Sequence, residues 1–251
     1  EEFFEVKRED MATEMNTTGT CRRCGTCCRM HSPALHHEDE PLYREGVLRK
    51  EHLVTTRKGE WVYDNVQDAL MVLDHEMIRV RSSDERTGCL FLDQKTSSCL
   101  IYGHRPVECS AMKCWDLKDI LELYPRDRLT RWDLIPADSA LGQIMAEHGR
   151  QCPYERVSEI CERLLQQEEQ DLARELADMV EADHAFRTTL QERAGADVHT
   201  LNCVFGRPMT HTLPLFGLQV IIGEGGEVRF RPETMSRSRL LKVEQLRRSA
   251  M

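Results

Sequence analysis

Apolar residues are spaced very differently in the two halves of the chain. After Pro153, the residues Val157, Ile160, Leu164, Leu165, Leu172, Leu176, Met179, Val180 and Phe186 fall largely on one stripe, with Glu, Gln and Arg opposite, which predicts a long amphipathic helix that Gly195 ends. A β-hairpin is expected next, from Leu213 to Ile222, through Gly223-Glu224-Gly225-Gly226, to Val228-Arg229-Phe230. Earlier in the chain the apolar clusters are short and mixed: Leu48 to Val54, Trp61 to Tyr63, Leu70 to Leu73 and Ile78 to Val80. They predict short helices with one or two small strands. Between Gly88 and Cys109, Gly-Cys-Leu-Phe-Leu-Asp and Cys-Leu-Ile-Tyr flank the polar run Gln94 to Ser98. This is the pattern of two short strands around a tight turn, and it brings Cys89 and Cys99 close together. The fold class read from these periods is α+β and mainly helical.

The same pattern divides the chain. Residues 1–20 are polar, carry no apolar period and end in Asn16-Thr17-Thr18-Gly19-Thr20, so they are expected to be a flexible lead-in. Residues 21–153 form a cysteine-rich region with short strands. Residues 154–251 hold the helical segment, with the hairpin and a basic tail packed on it. With 251 residues and 40% hydrophobic side chains, the chain can build one large domain or two small ones.

Charge and hydropathy narrow the settings. No apolar run approaches the ~20 residues that span a bilayer, and Glu1-Glu2-Phe3-Phe4 lacks the basic and apolar regions of a secretory signal, so a cytoplasmic protein without a membrane partner is expected. The net charge of −9 argues against nonspecific attraction to nucleic acid. Arg237, Arg239, Lys242, Arg247 and Arg248 form a basic stretch, either a solvated helix end or a contact for an acidic partner.

Cysteine supplies the chemistry. Cys21, Cys24, Cys27 and Cys28 place four thiols in eight residues, an arrangement no ordinary core or turn requires. Cys89, Cys99, Cys109 and Cys114 follow as a second spaced group. Disulfide scaffolds are usually short and secreted, and the odd total of eleven cysteines argues against complete pairing, so metal-bound thiolates in a reducing compartment are favoured. Cys152, just before Pro153, is a further candidate. For Cys114 and Cys152 a buried small side chain is the alternative to a ligand. Cys161 lies on the apolar stripe, and Cys203 has no second pair near it, so both read as structural.

The order Cys21-x2-Cys24-Gly25-x-Cys27-Cys28, then Gly88-Cys89-Leu90-Phe91-Leu92-Asp93, then Cys99-Leu100-Ile101-Tyr102 and Arg105-Pro106-x2-Cys109, resembles a bacterial cysteine-cluster family. That family is described as a zinc- or iron-chelating domain and named for its CxxCxxCC motif. The resemblance implies seven ligand candidates: Cys21, Cys24, Cys27, Cys28, Cys89, Cys99 and Cys109. Flagellin lysine N-methylases are similar in carrying a related cluster, which implies a methyltransferase reading that no other segment of this chain supports.

Thiolate number favours iron–sulfur, with a 4Fe-4S cluster first, over zinc: seven or eight cysteines exceed one structural zinc, and iron–sulfur clusters take ligands from one tight loop plus a distant segment. Arg22, Arg23, Arg29, Arg105 and Lys113 lie near these thiols and would offset their charge, although Arg22 and Arg23 read better as solvated. His31, His36 and His37, beside Glu38, Asp39 and Glu40, read as solvated surface rather than a second metal site, and His104 as a donor to a ligand sulfur. There is no phosphate loop, HExxH, nucleophile elbow or Cx3Cx2C triplet. Three readings of function remain. They are a cluster protein for electron transfer or cluster-dependent chemistry with a redox or protein partner, a structural zinc protein that presents a binding face, and a methyltransferase by family analogy.

Overall fold

The computed structural model describes residues 19, 21–64, 66–67, 69–83, 88–126, 128–167, 169–223 and 226–233. The expected lead-in, Gly19 apart, and the basic stretch Arg237 to Arg248 lie outside the described residues. The fold is α+β and mainly helical, with short antiparallel strand pairs. Two compact units divide the chain: Glu1–Arg49 with Arg79–Leu129, and Lys50–Ile78 with Thr130–Met251.

The first unit is built from elements too short to be stable alone. Its helices Thr26–Met30, Glu40–Arg44, Val107–Ala111 and Lys118–Leu123 span five or six residues each. Side chains that bond to backbone make up the deficit. Asp39 accepts the His36 amide on Oδ2 at 3.0 Å and the Val107 amide on Oδ1 at 2.8 Å, which fixes the start of the helix Val107–Ala111. Glu108 accepts the Ala34 amide at 2.7 Å and lies 3.3 Å from His36 Nε2. His36 and Asp39 are therefore buried, not solvated as their polarity suggested, while His31, His37 and Glu38 are exposed.

The hairpin between Cys89 and Cys99 is present, with Leu92 opposite Cys99 and Asp93 opposite Ser98. Asp93 closes its turn by accepting the amides of Lys95 and Thr96 at 2.8 and 3.3 Å. Just before it, the Cys89 amide donates to the Cys28 carbonyl at 2.7 Å. That approach requires Gly88, whose φ is +95° and where a Cβ would stand 2.2 Å from the Cys28 carbonyl oxygen and 2.5 Å from the Arg29 Cα.

In the second unit the apolar stripe after Pro153 folds as two helices, Tyr154–Gln166 and Gln170–Ala194, rather than one. Gln167 is extended at φ −154° and ψ 151°, and Glu169 is extended again before the second helix. The chain can then return and pack Val157, Ile160 and Cys161 against Leu172, Leu176, Met179 and Val180, which a single straight rod could not do. The second helix runs 25 residues to Gly195, as expected. Leu213–Phe216, expected as strand, is a 3-10 turn containing Pro214, and the hairpin pairs Leu218–Ile222 with Val228–Pro232 over the same core. The region from Leu53 to Ile78 holds more strand than expected, including the pair of Trp61–Asp64 with Ala69–Val72.

A second cluster, with Met145, Leu190, Leu201, Val204 and Phe205, surrounds a buried polar knot. Asp183 and Arg187 sit on the buried stripe of the long helix, four residues apart, and form an ion pair at 3.0 Å. Asp183 also takes His148 Nε2 at 2.8 Å and the Met209 amide at 3.1 Å, while Arg187 donates to the Gly206 carbonyl at 2.9 Å. Burial, helped by the charges of Arg57 and Arg187, lowers His148 to about 4, so its ring is neutral in the fold. Burial opposes the charge of Asp183, but the His148 hydrogen bond and Arg187 outweigh it and hold that carboxyl at about 2. Among the described residues no helix is long and apolar enough to cross a membrane.

Two glycines test the backbone argument in opposite directions. Gly88→Ala is expected to cost roughly 2 kcal/mol or more, because both its φ and its neighbouring backbone forbid a side chain. Gly149→Ala, inside the helix Ala140–Gln151 with nothing within 4 Å of the added Cβ, is expected to gain about 0.5–1 kcal/mol. Urea unfolding of the two variants measures both.

The polar knot predicts acid sensitivity. An unfolded chain takes up a proton near the ordinary histidine value of 6.5, whereas folded His148 refuses it until about 4, so this contribution to stability is full at neutral pH and is lost as pH falls through that window. Urea midpoints between pH 7 and 4 should show the decline. In His148→Gln the decline across this window should flatten, even though the variant is less stable throughout.

Candidate metal centre

The loop Cys21–Cys28 ends in the short helix Thr26–Met30, which starts from Gly25 at φ 75°. Arg29, on that helix, donates through Nη1 to the Cys24 carbonyl at 2.8 Å and through Nη2 to the Ser97 hydroxyl, tying the loop to the turn of the hairpin. Arg23 adopts φ 53°, unusual for a residue with a side chain, and its amide donates to Cys21 Sγ at 3.4 Å. Its guanidinium lies 4.1 Å from the centroid of the Tyr102 ring, and Arg105 lies 3.9 Å from the same centroid while donating to the Tyr102 carbonyl at 3.0 Å. Arg23 is exposed, as expected, and its guanidinium in addition covers the ring.

Five thiols from three segments, ranging from exposed Cys27 to buried Cys89, share one electrostatic neighbourhood. Cys27 and Cys28 Sγ are 4.0 Å apart, and the hydrogen bond between them holds Cys27 below the ordinary thiol value and Cys28 far above it. Burial raises Cys28 further, as do the charges of Cys27, Cys109 and Cys89. Cys109 is raised by burial first and then by Cys89, Cys27 and Cys99, with Arg105 pulling the other way. Cys89 is raised by burial, partly offset by the Phe91 amide, and again by Cys99 and Cys27. Cys27, Cys89, Cys99 and Cys109 thus make neighbouring sulfurs harder to ionise, while Cys28 favours the thiolate of Cys27 and Arg105 those of Cys27 and Cys109. A set of thiols that oppose one another's charge in a partly buried neighbourhood suits a multiply charged cation or cluster, so the donor chemistry fits an iron–sulfur or zinc centre.

The other candidates are placed differently. Cys21 and Cys24 are exposed on the loop, and Cys24 is held low by the Thr26 hydroxyl at 3.3 Å. Cys114 is exposed, not a buried neighbour of Trp115. Cys152 belongs to the second unit, where its thiol donates to the Met179 carbonyl at 3.4 Å, its carbonyl accepts from Arg57 at 2.8 Å, and burial pushes it up to about 12. Cys161 and Cys203 are buried, as their sequence positions suggested. His104 is exposed in the turn Tyr102–His104, and Lys113 pairs with Asp119. Among the described residues no three Cys, His, Asp or Glu side chains converge closely enough to hold a metal ion as they stand.

Several residues that build the site carry no obvious signal. Tyr102 and Gly88 are visible only as part of the resemblance, and Asp39, His36 and Glu108 look like surface polars. A carboxylate directly before Cys109, in a segment too short to be a stable helix, is the one hint that something must anchor it.

No curated protein and no solved structure matches the chain. Residues 20–128 match the family model CxxCxxCC, whose description is "Putative zinc- or iron-chelating domain". The matched span contains the five gathered thiols as well as Cys21, Cys24 and Cys114. Over residues 20–128, less than half of its length, the chain is similar to the CxxCxxCC family.

Proposed function

We propose that residues 20–128 hold a thiolate-ligated iron–sulfur centre, 4Fe-4S in type, which the protein uses for electron transfer or for cluster-dependent chemistry. One observation carries the reading. Sulfurs from three separate segments lie near enough to act on one another: Cys27, Cys89 and Cys109 on Cys28, and Cys27 and Cys99 on both Cys89 and Cys109, with Cys21 and Cys24 on the adjoining loop. One tight loop plus distant segments is the ligand supply that iron–sulfur clusters accept. Such a cluster, when bound, supplies a one-electron couple whose potential follows nearby charge and hydrogen bonds.

The protein's own residues tune that environment. Arg105 places positive charge toward Cys27 and Cys109. The amides of Arg23 and Phe91 donate to the sulfurs of Cys21 and Cys89. Asp39 and Glu108 hold the helix that presents Cys109. Thiolates of this kind need a reducing compartment, which supports the cytoplasm. The net charge of −9 supports a redox or protein partner in preference to nucleic acid.

Anaerobic purification, a visible spectrum and assays of iron, zinc and acid-labile sulfide per chain test this reading. Iron with matching sulfide and visible absorption is expected. Zinc without sulfide would overturn the cluster and leave a structural site. Cys109→Ser is expected to lose most of the metal, and Cys161→Ala, altered only in the apolar core of the second unit, to keep it.

A further inference from the structure

Cys21 and Cys24 are exposed, yet the arm that carries them is held at two points. At its C-terminal end Arg29 grips the Cys24 carbonyl. At its N-terminal end the grip is Arg23 on Tyr102. We propose that Tyr102 is a positioning residue for the metal centre: its ring receives Arg23 on the Cys21 arm and Arg105, and so keeps the arm beside Cys27 and Cys109, and metal leaves when this contact opens. The charge of Arg105 acts on both of these thiols. The inference rests on the thiolate-centre reading and adds a determinant of how long metal is kept.

Three features support it. Tyr102 is the fixed partner, because its segment lies three residues beyond Cys99 of the hairpin, and Arg105 bonds to its carbonyl and covers its ring. Arg23 is the costly partner, since φ 53° is disfavoured for a residue with a Cβ and persists only where contacts compensate. The same φ serves both ends of that residue, with its amide on Cys21 Sγ and its guanidinium on the ring. Loss of the ring contact removes the compensation for this conformation and, with it, the hydrogen bond that orients the Cys21 sulfur.

The test uses the full chain, stripped of metal and reloaded anaerobically with Co(II), whose thiolate charge-transfer absorption reports Co–S bonds. Excess EDTA is added and the decay of that absorption is timed. Tyr102→Leu and Arg23→Met are each expected to release Co(II) roughly tenfold faster with a weaker initial band, the size of one cation–π contact. The double variant should be no faster than either single one, and Tyr102→Phe, which keeps the ring face, should stay within about twofold of the parent. Parental release from a fully loaded Tyr102→Leu would overturn the positioning role and leave the metal centre standing. A parent chain that takes up neither thiolate-bound Co(II) nor iron with sulfide would overturn the metal centre itself. Should Tyr102→Leu fail to fold, Arg23→Met, at an exposed position, breaks the same contact from its other side and decides the matter by the same release rate.

Discussion

The partial burial of ionisable thiols close to one another is the constraint around which the first unit is arranged. A thiol loses its proton readily only where water or a cation stabilises the anion, and the neighbourhood that Cys27, Cys28, Cys89, Cys99 and Cys109 share limits the first and supplies little of the second. Once these thiols ionise to take a cation they repel one another, so the framework must already hold them in place. It does so with short, specific bonds: the Cys89 amide on the Cys28 carbonyl, Arg29 between the loop and the hairpin turn, and Asp39 and Glu108 at the base of the helix that carries Cys109. None of these elements is long enough to be rigid by itself.

The second unit handles buried charge differently. Asp183 and Arg187 satisfy each other, and their remaining hydrogen-bonding groups go to His148, Met209 and Gly206. Arg57, Glu60 and Arg207 repeat the solution nearby, with Arg57 bonded to the Cys152 carbonyl and Arg207 to Glu60. Such networks pair their charges internally, so no outside cation is needed. The contrast explains why thiols in the two units differ: Cys152, Cys161 and Cys203 behave as small apolar groups, each pushed to about 12 by burial.

Much of this was legible in the sequence because cysteine spacing and apolar period are local signals. The loop at Cys21, the hairpin around Gln94 to Ser98, the stripe from Leu172 to Val180 and the stop at Gly195 needed nothing beyond neighbouring residues. The break at Gln167 did not show, because Gln-Gln-Glu-Glu-Gln contains no proline or glycine and is a good helix former; the pull of a shared core decides it. The burial of His36 and Asp39 did not show either, since their partners Glu108 and Val107 lie about seventy residues on. Polar residues near a cysteine cluster look alike in one dimension, whether they face water or hold a helix end.

Those long separations give the site a birth order. The bonds from Val107 to Asp39 and from Ala34 to Glu108 close chain separations of 68 and 74 residues. During synthesis the thiols of the loop emerge first, and Cys109 follows Cys28 roughly 4 to 16 s later at ordinary elongation rates. Throughout that interval four clustered thiols stand without the sulfurs that complete their set, on a chain that has not yet closed its distant contacts. Assembly of the centre is thus a late event in the life of the molecule, and the nascent loop is the stage at which it is most open to oxidation or to capture of the wrong ion.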